Sequence, residues 1–172
     1  MNPLFEEYMT ETTEKQGNPR YTGMFLYTDP KMAFAIWLPT GWTQFDMKKG
    51  HHGVIFSPYP DHFDTSFSAE FHRLKFEVSK DDLPVLQEGF EAGIKALPGV
   101  EIESFTYTPT STLVTLEAKF TFLEGENRRK RWIRNIYWGN GQLVFIAQGE
   151  TVKEYDYWLP MFYNTMVTFQ VS

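Results

Sequence analysis

The chain has no cysteine, which removes disulfides, thiolate nucleophiles and cysteine-ligated zinc or iron–sulfur centres. Long hydrophobic runs are missing too: no window approaches the ~20 consecutive apolar residues that a membrane-spanning helix needs. Residues 1–15 carry Glu6, Glu7, Glu11 and Glu14 in place of a basic stretch followed by an apolar one. A secretory signal is therefore not expected, and the expected location is the cytoplasm. Excess positive charge is absent, with 16 Lys and Arg against 22 Asp and Glu and a net charge of -6. Nucleic acid is thus a minor candidate partner, because phosphate binding rests on a basic footprint. Finally, there is no Gly-x-Ser-x-Gly turn, no phosphate loop and no Gly-rich dinucleotide fingerprint. The reading is of a protein that is not an enzyme and carries no cofactor.

What the chain has is aromatic mass: 16 Phe, 9 Tyr and 5 Trp in 172 residues, 42% of which are hydrophobic. That is enough for one sizeable core. A single domain over residues 1–172 is expected, with 1–20 as an N-terminal helical extension and 21–172 as a sheet-and-helix core.

Local patterns fill in that core. A short helix is expected over 3–15. A hairpin then pairs 21–27 with 32–38 across Thr28, Asp29, Pro30 and Lys31, with Asp and Pro where a type I turn prefers them. In its second strand Met32, Phe34, Ile36 and Leu38 share one face, while Ala33, Ala35 and Trp37 share the other, so partial cover is expected on both. A loop rich in Lys, Gly and His leads to Val54, Ile55 and Phe56. The extended stretch 65–78 changes apolar parity partway, which a bulge near His72 and Arg73 would reconcile. Residues 79–97 read as a helix, with Ser79 and Asp82 as its N-cap pair and Leu83, Leu86, Phe90, Ile94 and Leu97 at helical spacing. Gly89 and Gly93 on that helix suggest close approach to a sheet.

From residue 100 to 149 the chain alternates extended runs and tight turns: 100–108, 112–123, 128–138 and 142–149. Gly139, Asn140 and Gly141 supply the positive-φ residues that a tight hairpin requires. Thr151 and Glu154 form a capping box for an aromatic helix that Pro160 should kink or loosen. The apolar ending 167–171 suggests a C-terminus that packs down. The fold class is α+β: an antiparallel sheet meander with helices packed on its faces.

Candidate sites are few. All four histidines, His51, His52, His62 and His72, fall between positions 51 and 72 beside Asp61 and Asp64. Their spacing matches no ligand frame, so ordinary surface histidines, and no metal, are expected. The run Arg128, Arg129, Lys130 and Arg131 precedes Arg134, Tyr137 and Trp138, and aromatic–Arg anchors of this kind suit a partner surface. Arg129, Arg131, Trp132, Arg134, Tyr137 and Trp138 are accordingly the partner-binding candidates. Against that stand Glu101, Glu103, Glu117 and Glu124 on neighbouring strands, which can pair with the cations across the sheet. The strands around 128–138 and 143–147 are apolar on both faces, so each face needs cover from the protein's own helices or from something else.

The order of elements, the strand running into Pro39, Thr40, Gly41 and Trp42, and the closing aromatic stretch from Trp158 to Phe169 together resemble the PsbP/Mog superfamily from about Met24 onward. The resemblance implies an antiparallel sheet sandwiched between helices, in proteins that mostly bind other proteins. Extrinsic photosystem subunits, a Ran-binding family and chaperones that shield apolar effector helices are among them. It carries over no site residue. The expected function is a non-enzymatic binding or adaptor module that docks a protein partner or forms a homodimer. A chaperone of an apolar helix would need an exposed, aromatic-lined concavity. The alternative is a small apolar ligand in a pocket between the sheet and the C-terminal helix.

Overall fold

The computed structural model describes residues 19, 20 and 22–172, so the helix expected over 3–15 lies outside them. The strands are β1 Met24–Thr28, β2 Phe34–Pro39, β3 Thr43–Asp46, β4 His52–Ser57, β5 Ser66–Arg73, β6 Glu101–Pro109, β7 Val114–Glu124, β8 Asn127–Trp138, β9 Gly141–Gly149 and β10 Gln170–Val171. The helices are α1, Leu83–Lys95, and α2, Val152–Val167. β3-β4-β5-β9-β8-β7-β6 form one antiparallel sheet, and β1-β2-β10 form a smaller one.

Strand alternation sends every second residue of the large sheet to a shared core. Val54, Phe56, Phe67, Ala69, Phe71, Trp132, Ile136, Leu143, Phe145 and Ala147 face Phe34, Ile36 and Leu38 of the small sheet and Tyr155, Phe162 and Met166 of α2. The small sheet and α2 together make the layer on this side. On the opposite side α1 packs over β7, its Ile94 and Phe90 meeting Ala118, Phe120, Phe122 and Leu116. This is the expected α+β architecture, an antiparallel meander with helices on its two faces.

The meander follows its sequence signals to within about two residues, and α2 begins where Thr151 Oγ1 accepts the backbone N–H of Glu154 at 3.1 Å. The C-terminus packs down as β10 against β2. α2 runs uninterrupted through Pro160.

Several local expectations need correction. Met32 leaves the strand face it was assigned to, taking φ 60° in the turn and standing 64% exposed, whereas the other parity of β2, with Ala35 buried and Trp37 40% exposed, has the partial cover expected of it. Ahead of the Lys-Gly-His loop, residues 43–46 form a strand that was not expected, β3, which pairs with β4. β5 ends at Arg73 without a bulge. The parity change is the chain leaving the sheet, so that Leu74 and Val78 pack with Leu83, Leu86 and Tyr107 against β7. The register shift occurs elsewhere, between Ile102 and Ser104. Finally, a Cβ at Gly89 or Gly93 would meet nothing within 4 Å; these glycines lie on the exposed face of α1 and mediate no close approach.

Candidate functional site

The six partner-binding candidates all lie on β8, and alternation divides them. Trp132, Arg134 and Trp138 point toward α2, while Arg129, Arg131 and Tyr137 point toward the α1 side. Trp132 is 3% exposed and Tyr137 8%, both inside apolar clusters. They do not form one surface.

The cations of this run are tied down locally. Arg128 lies 3.6 Å from Glu101, Arg129 2.6 Å from Glu124, Lys130 2.9 Å from Glu103 and Arg134 3.0 Å from Glu117. All four glutamates read as cross-strand partners in the sequence take that role. Arg131 hydrogen-bonds Gln148 and stacks 4.5 Å from the Phe122 ring, and burial lowers its guanidinium below the ordinary value. The pairs whose glutamate is exposed, those of Arg128, Arg129 and Lys130, add little stability each. Their effect is to neutralise the basic run within the sheet.

The four histidines divide among three places. His51 Nδ1 is 2.6 Å and His72 Nε2 3.6 Å from the same Glu70 oxygen, His52 pairs with Asp29 at 2.7 Å, and His62 stacks on Tyr59 near Asp61 and Asp64. Among the described residues no group of three or more His, Asp and Glu side chains is placed so that it could hold a metal ion.

A different set of residues forms a continuous feature. Strand registers place Phe45, Ile55, Ser68, Ile146, Ile133, Ala118 and Phe105 in one cross-strand row spanning all seven strands on the α1 side of the large sheet. α1 covers the Phe105, Ala118 and Ile133 end. Neither helix covers the other end, where Ile146, Ile55 and Phe45 are half-buried and Phe63, 49% exposed, leans on Phe45 with ring centroids 5.3 Å apart. Val144 stands one step along β9 on the same face. A pocket of about 200 Å³ beside Ile55 is lined by Met47, Lys48, His51, Ser68 and Glu70. The polar groups Glu70, His51 and His72 border one side of this apolar strip, and Arg131 with Gln148 borders the other.

Sequence reading recognised β9 as apolar on both faces but singled out none of these residues. Phe45 lies in residues 43–46, where no strand was expected. Val144 and Ile146 lie in the stretch read as apolar on both faces, but only the placement of α1 shows which part of the sheet that helix leaves uncovered.

No family model matches the chain, and no curated protein matches it. Solved structures do. The cyanobacterial PsbP protein CyanoP from Synechocystis sp. PCC 6803 superposes with TM-score 0.61 at 16% identity, covering 91% of this chain and 99% of that one. The fold is PsbP/Mog-like. LpqN of Mycobacterium tuberculosis, a protein involved in cell envelope biogenesis, gives 0.59 at 10% identity, covering 87% of this chain and 91% of LpqN. The Ran-binding protein Mog1p of Saccharomyces cerevisiae gives 0.51 at 6% identity, covering 87% and 95%. At such identities the PsbP/Mog-like likeness is one of fold. Among the described residues, no helix is long and apolar enough to cross a membrane.

Proposed function

We propose that the chain is a non-enzymatic, cytoplasmic binding module that docks a protein partner across the open face of β3, β4, β5 and β9. The observation that supports this reading is the apolar row of Phe45, Ile55 and Ile146, uncovered by either helix and bordered by polar side chains. An apolar centre with a polar rim is the composition of protein interfaces. A partner other than a second copy is favoured, because self-association brings together two chains that each carry -6. Mog1p, with the same fold, is a Ran-binding protein, which supports docking as a use of this architecture.

The test compares wild type with Ile146→Lys in affinity capture from native extract, with sedimentation velocity run on both. A partner retained by wild type and lost by a folded Ile146→Lys supports the reading. Equal retention by both overturns it. A concentration-dependent dimer abolished by the substitution reassigns the face to self-association.

One observation favours a second reading, an apolar ligand beside α2. A notch of about 460 Å³ there is lined by Trp132, Leu159, Pro160, Tyr163 and Lys119. The Trp132 Nε1 is buried with no hydrogen-bond partner among the described residues, so a ligand there needs one acceptor on its apolar body to satisfy the indole N–H. Native mass spectrometry of freshly purified protein decides it: a retained small-molecule mass that Trp132→Phe reduces supports this reading, and a bare chain mass removes it.

A further inference from the structure

On the α2 side of the large sheet, at the end where β5 finishes and β8 turns into β9, two adjoining hollows form one groove. One, of about 380 Å³, reaches Trp138 and Asn140; the other, of about 290 Å³, reaches His52. They share Lys31, Ala33, Phe71 and Arg73. These volumes lie near the lower end of small-molecule sites, roughly 300–1,000 Å³.

The floor is aromatic. Phe71 and Trp138 sit with ring centroids 5.8 Å apart, and they close over Gly141, where a Cβ would stand 3.0 Å from the Trp138 ring and 3.2 Å from Phe71. Any larger residue at 141 would push the floor apart.

Two cations stand above this floor. Neither Lys31 nor Arg73 has a carboxylate within ion-pair distance among the described residues, whereas Arg128, Arg129, Lys130 and Arg134 on β8 each lie beside a glutamate. Arg73 spends one guanidinium nitrogen on Asn140 Oδ1 at 3.0 Å and lies 5.8 Å from the Phe71 ring, leaving further donors of its planar fork unused among the described residues. Ser172 lines the first hollow, where its main-chain oxygen accepts the Trp138 indole N–H at 2.9 Å, and the two nearby side-chain acids are committed elsewhere. Asp29 is buried and holds His52 and the Ala33 N–H; Glu70, adjacent to Phe71 in β5, projects from the opposite face toward His51 and His72.

We propose that this groove binds an organic carboxylate, with Arg73 and Lys31 on the anionic group and Phe71 and Trp138 beneath its apolar portion. A planar guanidinium fork matches a carboxylate in two-point contact, and the lysine adds a mobile point charge. The flat aromatic floor selects an acid carried on an apolar or aromatic body over a bare ion. The inference is independent of the docking reading, which concerns the other face of the sheet.

The experiment follows the Trp138 indole N–H resonance, anchored by its 2.9 Å bond to the Ser172 carbonyl, in a proton–nitrogen NMR titration with benzoate, its neutral isostere benzamide, and N-acetylphenylalanine. Benzoate is expected to shift the resonance saturably while benzamide does not. Arg73→Gln and Lys31→Gln, both at exposed positions, should each weaken benzoate roughly tenfold, as loss of one charge-assisted contact implies. Tighter binding of N-acetylphenylalanine identifies a polypeptide C-terminus as the source of the carboxylate, and tighter binding of benzoate identifies a free acid. Equal responses to benzoate and benzamide, no response to either acid, or unchanged affinity in the double variant would overturn the proposal.

Discussion

Asp29 Oδ1 lies 2.7 Å from His52 Nε2, and the other oxygen of the same carboxylate accepts the Ala33 N–H at 3.0 Å. With Asp29 1% exposed, this joins the β1–β2 turn of the small sheet to the first residue of β4 in the large one. The turn it secures places Met32 at φ 60°, a conformation that non-glycine residues adopt only when their surroundings impose it.

Removing that carboxylate leaves a backbone donor and an imidazole without their partner. Asp29→Ala is therefore expected to lower unfolding stability by about 2–3 kcal/mol, and Asp29→Asn, which keeps an acceptor, by less. Urea denaturation followed through tryptophan fluorescence measures both. A change below about 0.5 kcal/mol in Asp29→Ala would show that the two sheets are held together without this link.

Glu91 offers a pH signature. Hydrogen bonds from Lys95 above all, then from Tyr107 and Gln87, bring its carboxyl from an ordinary 4.5 down to about 2. A carboxyl lowered in the folded state contributes stability that is whole above the unfolded value and is lost as the pH falls toward the folded one. The stability gap between wild type and Glu91→Gln should be constant above pH 4.5 and close as the pH falls toward about 2. Thermal melts across that range test the sign; a gap that widens on acidification would show that α1 is not tied to β6 through this carboxylate.

How much of this was legible depended on how local each signal was. The meander was readable because Val114, Leu116, Ala118, Phe120 and Phe122 alternate over a long strand and Gly139–Gly141 mark the turn. β3 was not, because Thr43, Gln44, Phe45 and Asp46 offer a single apolar residue and no period. The Arg and Trp residues of β8 look like one motif along the chain, yet adjacent strand residues face opposite ways. Which half of the large sheet the helices leave uncovered is set by where α1 lands, and nothing in residues 83–95 states that.

The same dependence on tertiary placement explains Gly89 and Gly93. A glycine pair four residues apart permits close helix approach, but here both positions face open space. Each glycine then costs helix stability with no packing in return, so Gly89→Ala and Gly93→Ala should each stabilise by about 0.5–1 kcal/mol. Chemical denaturation of the single and double variants measures this, with near-additive gains expected. Destabilisation by either substitution would mean that α1 packs against something on that face.

Phe145 and Ile146 are neighbours in β9 that the sheet sends in opposite directions. Phe145 is 0% exposed between Phe67 and Phe169, with ring centroids 5.4 and 5.5 Å away, whereas Ile146 lies in the open part of the cross-strand row. Phe145→Ala opens a cavity in the main core and should cost about 3–5 kcal/mol. Ile146→Lys, whose long stem can lie along the sheet while its ammonium reaches water, should cost less than about 1 kcal/mol. Paired equilibrium unfolding curves decide the matter. A large loss in Ile146→Lys would show that this face is covered in the native protein, and with that the open docking face itself would have to be abandoned.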